Sequence, residues 1–219
     1  MQKTKYFTET LISKKAESIY QKMDRNFDLH NDQLIPQRTA LLILDMQKFF
    51  HDNKSHAFIP SAKAIINPIK SLTNIFLTNN LPIIITKHIN TQENAKQMDS
   101  WWRDILTKNS EPSQLITEFD IPQAELIIKS QYDAFYDTDL NEILQKSNIE
   151  QLIITGVMTH LCCESTARSA FVRGYTVFFP IDGTATYNEE FHFATLTNLA
   201  HGFANITLIE NLIQALNDK

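Results

Sequence analysis

Glycine and cysteine are both scarce in this chain. Of 219 residues only four are glycine, Gly156, Gly174, Gly183 and Gly202, so the first 155 residues have none. Neither G-x-G-x-x-G nor G-x-x-x-x-G-K-[ST] can be written, which excludes the common glycine-rich phosphate loops. The only two cysteines are adjacent, Cys162 and Cys163. They cannot staple distant loops, and no C-x-x-C or Cys/His zinc spacing exists, so a reducing compartment is expected and no metal site. No apolar run approaches the roughly 20 residues that span a bilayer. The segment Met1 to Thr10 has no apolar core of a secretory signal, so a cytoplasmic protein is expected. Basic residues are also outnumbered, with 20 Lys and Arg against 25 Asp and Glu, for a net charge of −5. That balance argues against nucleic acid or a membrane as partner.

What is present is ordinary for a globular protein, with 43% hydrophobic and 21% charged residues. Residues 1–37 read as an N-terminal helical arm. Ile12, Ala16, Ile19 and Met23 fall on one helical face, whose cover is either the body or a partner subunit. Residues 38–219 read as one domain. The apolar runs Ala40–Leu44, Leu81–Thr86, Leu126–Ile128, Leu152–Ile154, Tyr175–Ile181 and Ile206–Ile209 are strand candidates. Continuous apolar runs suit parallel strands buried on both faces. Helix candidates alternate with them: Ser61–Asn80, with a kink or a split expected near Asn67 from Pro68, then Thr138–Lys146, the segment from Gly156 to Gly174, Glu189–Phe203 and Leu212–Leu216. This alternation predicts a three-layer α/β/α domain with a six-stranded, mainly parallel, Rossmann-like sheet. The long connection 89–124 is a candidate lid or binding loop.

Open α/β sheets bind ligands beyond the carboxyl ends of their strands. The residues there are Asp45, Lys87 or His88, Lys129, Cys162 and Asp182. A carboxylate, one or two ammonium groups and a thiol are what a cysteine hydrolase needs: a nucleophile, a base for its proton and a cation beside the thiolate. Periodicity separates the two cysteines. Cys163, Ala167, Ala170 and Gly174 form a small-residue face suited to packing on the sheet. Cys162, Thr166, Ser169 and Arg173 form a more polar line. Cys162 is therefore the candidate nucleophile, and its place in a first helical turn predicts a lowered thiol pKa. Trp101 and Trp102 are candidates for a pocket wall. His192 and His201 read as structural.

Three segments carry a resemblance. Leu42-Ile43-Leu44-Asp45-Met46-Gln47, Ile127-Ile128-Lys129-Ser130-Gln131-Tyr132-Asp133-Ala134-Phe135, and Gly156-Val157-Met158-Thr159 leading to Cys162 and Thr166-Ala167-Arg168 are similar to the aspartate, lysine and cysteine motifs of the isochorismatase-like cysteine hydrolases. That superfamily includes isochorismatases, nicotinamidases and N-carbamoylsarcosine-type amidases, and the resemblance covers roughly residues 38–210. It implies a catalytic set of Asp45 as base, Lys129 and the nucleophile Cys162, with a thioester intermediate. It implies a cis peptide at Val157–Met158 and an oxyanion hole from the backbone N–H groups of Met158 and Cys162. It leaves Lys87 as a pocket candidate beside Gln47, His88, Trp101, Trp102, Phe135 and His160. It implies no cofactor, a small-molecule substrate and a homo-oligomer.

Two substrate readings follow from the same motifs. His160 is similar to a histidine of siderophore-type isochorismatases, which cleave a vinyl ether by acid catalysis and often carry glycine where this chain has Cys162. The retained Cys162 favours hydrolysis of a C–N bond in a small amide or ureide. The Asp-x-His metal motif of nicotinamidases is absent after the second strand, which weighs against nicotinamidase and against a metal. An isochorismatase that releases pyruvate is the same-fold alternative. A catalytically silent binding or scaffold protein is the third.

Overall fold

The computed structural model describes residues 2–217; residue 1 and residues 218–219, the outer ends of the two segments expected from the sequence, lie outside them. Seven strands form one sheet: β1 Thr39–Leu44, β2 Ile83–His88, β3 Glu125–Lys129, β4 Gln151–Val157, β5 Thr176–Pro180, β6 Thr184–Ala185 and β7 Asn205–Thr207. Helices α1 Ile12–Asn26, α2 Lys48–His51, α3 Ile66–Thr78, α4 Gln92–Ala95, α5 Gln97–Trp101, α6 Leu140–Lys146, α7 Glu164–Val172, α8 Glu189–Gly202 and α9 Ile209–Asn217 surround and connect them.

The strand order is β3-β2-β1-β4-β5-β7, and every pairing is parallel. The chain builds outward from β1 in one direction, then returns beside β1 to build the other way. The switch point therefore lies between β1 and β4, where an open α/β sheet leaves a crevice at its carboxyl edge. The register of those two strands runs from Thr39 opposite Gln151 to Leu44 opposite Gly156. All residues of both strands are buried, as their unbroken apolar runs require.

Two expectations need correction, the number of strands and the start of the last helix. The sheet has a seventh strand: β6 adds Thr184 and Ala185 beside Gly156 and Val157. A two-residue Thr-Ala strand carries no apolar run to betray it. Of the kink or split expected near Asn67, the structure has the split. A short 3-10 turn, Ala62–Ile65, leads into α3, and Pro68 sits in the first turn of that helix, where its missing N–H has no partner to lose. Lys87 and His88 close β2, where the sequence ends that strand. The last helix begins at Ile209, inside the expected final strand, leaving β7 shorter.

The arm packs on its own body. Ile12, Ala16, Ile19 and Met23 are all buried and join the main core together with Phe7. No described helix is long and apolar enough to cross a membrane.

Candidate active site

Immediately after β1 the backbone enters the left-handed region at Asp45, with φ of 54°, which aspartate tolerates better than most residues with a side chain. Its carboxylate is fully buried. Thr86, on β2, donates its hydroxyl to Asp45 Oδ1 at 2.6 Å, and the Asp45 N–H reaches the Thr86 carbonyl and hydroxyl at 3.3 and 3.2 Å. At the end of β3, Lys129 lies with Nζ 2.8 Å from Asp45 Oδ2. The same ammonium donates to the Gln131 carbonyl at 2.9 Å and to Cys162 Sγ at 3.4 Å. A buried ion pair holds only if its remaining polar atoms find partners, and here Thr86 and Gln131 supply them. Asp45 Oδ2 meets the Lys129 ammonium at 2.8 Å, and a carboxylate oxygen so engaged keeps a second lone pair for another donor.

The thiol arrives on β4. The Val157–Met158 peptide is cis, and a wide π-helical turn, Thr159–Cys163, precedes α7. The N–H groups of Leu161 and Cys163 both close on the Met158 carbonyl, at 3.1 and 3.2 Å. Among the described residues, no turn or loop backbone bond engages the N–H of Met158 or Cys162. Cys163, Ala167 and Ala170 are fully buried, as their small-residue face implied, whereas Cys162 opens onto a cleft.

The expected lowering of the Cys162 pKa is corrected. Burial pushes the thiol up, Asp45 adds to this, Lys129 opposes it, and the net result is a rise to about 12. Loss of hydration outweighs the helix end. For Lys129, burial pulls the pKa down, but Asp45 and Cys162 outweigh it and hold the ammonium charged.

The cleft is narrow, with a cavity volume of about 60 Å³, and opens to solvent, with Cys162 and Met158 among its lining residues. Its walls are mostly apolar and aromatic: Phe49 and Phe50 from α2, then Met98, Trp102, Leu106, Tyr132 and Leu161. Trp102 Nε1 donates to the Tyr132 hydroxyl at 2.9 Å, which joins two wall residues. His56 and Asp104 meet at 3.3 Å along the same cleft. This arrangement gathers a thiol, an open carboxylate acceptor and a fixed ammonium below a pocket for a flat apolar group. Such a set can transfer a thiol proton and stabilise a thiolate.

The isochorismatase domain model matches residues 39–211. This chain belongs to the isochorismatase family. Nicotinamidase 3 of Arabidopsis thaliana is 37% identical over 182 residues, spanning 81% of this chain and 88% of the relative. Enterobactin synthase component B of Escherichia coli K12 is 30% identical over 184 residues, spanning 82% of this chain and 64% of the relative. A cysteine hydrolase from Pseudomonas syringae pv. phaseolicola 1448A superposes with a TM-score of 0.83 at 23% identity, covering 86% of this chain and 96% of that one. At that identity the last likeness speaks for fold alone. Membership of the family makes the chain a hydrolase with a mainly parallel α/β fold.

Within this isochorismatase-family site, the pocket candidates divide. His88 and Trp102 line the cleft. Burial lowers the His88 pKa to about 4, helped by the Lys129 charge, and Asn90 Oδ1 holds its Nε2 at 2.7 Å. The other five lie off the cleft. Gln47 is buried and spends its amide on the His88 N–H, the His88 carbonyl and the Ser113 carbonyl, so it braces the cleft from behind. Lys87 follows the two-residue alternation of β2 onto the opposite side from Thr86 and His88. Trp101 is 76% exposed, at the outer end of α5. Phe135 stacks on Tyr175 at 5.9 Å under the Arg173 guanidinium. His160 turns away to Thr186 Oγ1 and stacks on Phe191 at 4.4 Å. Among the described residues, no group of three or more His, Cys, Asp or Glu side chains is placed to hold a metal ion.

Thr86, Gln131, Phe49, Tyr132 and the His56–Asp104 pair went unnoticed in the sequence. Thr86 did leave a signal: a lone hydroxyl closing the apolar run Ile83-Ile84-Ile85, level with Asp45 once the strands are paired. Phe49 sits in α2, a helix of four residues and too short to show a period, and the others sit in irregular segments.

Proposed function

We propose that this protein hydrolyses the C–N bond of a small, flat, ring-bearing amide through a thioester on Cys162. The observation that carries the proposal is the contact set of Cys162 Sγ, Lys129 Nζ and Asp45 Oδ2, with Cys162 lining an aromatic-walled cleft. The 37% identity to a nicotinamidase supports an amide substrate. The thiol is protonated near neutrality, so its proton moves to Asp45 as the carbonyl is attacked rather than beforehand. Lys129 holds the developing thiolate. The tetrahedral oxyanion is received by the N–H groups of Met158 and Cys162, donors aimed where charge develops. Asp45 then returns its proton to the leaving nitrogen. Water, deprotonated by the same carboxylate, cleaves the thioester and restores the thiol.

The alternative vinyl-ether chemistry has less support. His160 would be its distinguishing group, and that ring is engaged with Thr186 and Phe191. The test is a panel of aromatic amides, ureides and isochorismate, read by ammonia and pyruvate release. Ammonia from an aromatic amide, abolished by Cys162→Ala, is the expected result. Pyruvate release that survives Cys162→Ala would overturn the thioester reading. Silence across the panel would favour a scaffold.

A further inference from the structure

The family match begins at residue 39, yet residues before it reach the turn that carries Cys162. Residues 2–7 run as an extended strap between two segments, 56–61 and 186–188, the first of which lines the cleft with His56 and Ala57. On one side, Lys3 Nζ donates to the His56 and Phe58 carbonyls, and the Tyr6 and Phe7 N–H groups donate to Ser61 Oγ at 3.0 and 3.1 Å. On the other, the Thr4 N–H donates to the Tyr187 carbonyl at 2.8 Å, and Asn188 Nδ2 donates to the Gln2 carbonyl at 3.1 Å. Between them the Tyr6 hydroxyl points inward. It accepts the Thr186 N–H at 3.0 Å and lies 2.9 Å from His192 Nδ1. That same nitrogen is 3.3 Å from Thr159 Oγ1, and Thr159 is the first residue of the turn that carries Cys162.

His192 is fully buried. Burial drives its pKa down to about 3, so the ring is neutral, and its Nδ1 is shared between the Tyr6 and Thr159 hydroxyls. The Tyr6 and Phe7 rings pack against it at 5.3 and 5.4 Å. His192 is itself on α8, so Tyr6 links the strap, the β6 loop, α8 and the Cys162 turn through one oxygen.

We infer that Tyr6 is a positioning residue of the active site: its hydroxyl, through His192 and Thr159, holds the turn that keeps Cys162 seated between Lys129 and Asp45. The inference rests on Cys162 being the nucleophile, and the experiment separates the two claims. Tyr6→Phe keeps the ring and its packing and removes only the hydroxyl. A turn released from its backing lets the thiol drift from Lys129 toward the cleft. Two readouts then move in opposite directions. Turnover of the amide substrate falls about threefold to tenfold in kcat, the range expected for one lost hydrogen bond, with KM little changed. Alkylation of Cys162 by iodoacetamide at pH 8, followed by peptide mass spectrometry, becomes faster, because a thiol only 5% exposed in the native turn becomes open to the reagent once it moves into the cleft.

The control for stability is Leu72→Ala, a fully buried truncation on α3 remote from the turn. It lowers the melting temperature at least as far as Tyr6→Phe and moves neither readout. Unchanged or slower alkylation in Tyr6→Phe overturns the inference, as does the same pair of changes in Leu72→Ala. If the wild-type protein releases no ammonia from any amide, the proposed function fails, while the alkylation comparison still decides the role of Tyr6.

Discussion

Thr86 shows how much the site depends on single polar atoms. Asp45 Oδ1 is satisfied by the Thr86 hydroxyl, and Oδ2 faces Lys129 and the thiol. Thr86→Val is nearly isosteric, so it removes the donor without opening a cavity. A buried carboxylate oxygen left without its donor costs about 1–3 kcal/mol. The carboxylate also loses the contact that fixes its rotation toward Cys162. The expected outcome is a fall in kcat of about tenfold with KM nearly constant, and a lower urea midpoint. Steady-state kinetics and urea unfolding check both; unchanged kcat would show that Lys129 alone orients Asp45. At this scale the sequence was informative where a residue ends an apolar strand, β3 included although its Leu126 and Ile128 are exposed. Asp45, Lys129 and Cys162 each follow or close an apolar run, so topology brings them together from distant parts of the chain. It was uninformative in segment 89–124, where Trp102 lines the cleft and its neighbour Trp101 is exposed. Adjacent residues in short irregular helices differ only by orientation, and no pattern encodes that.

Among the elements, the pairing of β1 with β4 matters most, because Asp45 leaves one strand and the turn that carries Cys162 leaves the other. Gly156 makes that pairing close. Its φ of +107° is a conformation that L side chains rarely adopt, and a Cβ there would lie 2.1 Å from the Leu44 carbonyl oxygen. The obstacle is backbone, which cannot swing aside. Gly156→Ala therefore has to separate the strands just below Asp45 and Met158. A destabilisation of about 3–4 kcal/mol is expected, with near-complete loss of turnover. Gly174 gives the internal comparison: its φ is +90°, but nothing lies within 4 Å of an added Cβ. Gly174→Ala is expected to cost only the conformational strain, about 1–2 kcal/mol, with kcat retained. Denaturant unfolding of both variants beside their kinetics checks the pair, and equal losses would show that steric closeness at Gly156 is unimportant. The parallel sheet was readable because buried strands are long apolar runs. The strap of residues 2–7 was not, because an extended segment held by backbone and hydroxyl bonds leaves no periodic trace. The stripe on α1 was visible, but only the structure shows that the body covers it.

For the whole molecule, the dominant electrostatic feature is a set of histidines kept neutral by burial. Burial lowers His51, His88 and His160 to about 4 and His192 to about 3, from an ordinary 6.5. Between pH 6.5 and 4 the unfolded chain binds protons at these positions that the folded protein refuses, so their contribution is complete above pH 6.5 and is lost as pH falls. Asp182 works the other way. Burial raises it to about 6 from 3.8, against the opposing hydrogen bond from the Ile209 N–H. Its contribution is present below 3.8 and is lost as pH rises through 6. Four groups act against one, so the histidines decide the sign even after discounting the partly exposed His160. The expected result is a flat stability from pH 7 to 8 and a decline below 6.5, with a net uptake of about two to three protons on unfolding near pH 5, or roughly 3–4 kcal/mol per pH unit. His192 alone accounts for roughly 3 kcal/mol of this by pH 4. Urea unfolding at half-unit pH steps measures the slope, and His192→Gln, which cannot titrate, should flatten it by close to one proton while lowering the plateau. A protein whose urea midpoint rises from pH 7 to 5 would show that Asp182 and the other carboxylates, and not the buried histidines, govern its response to acid.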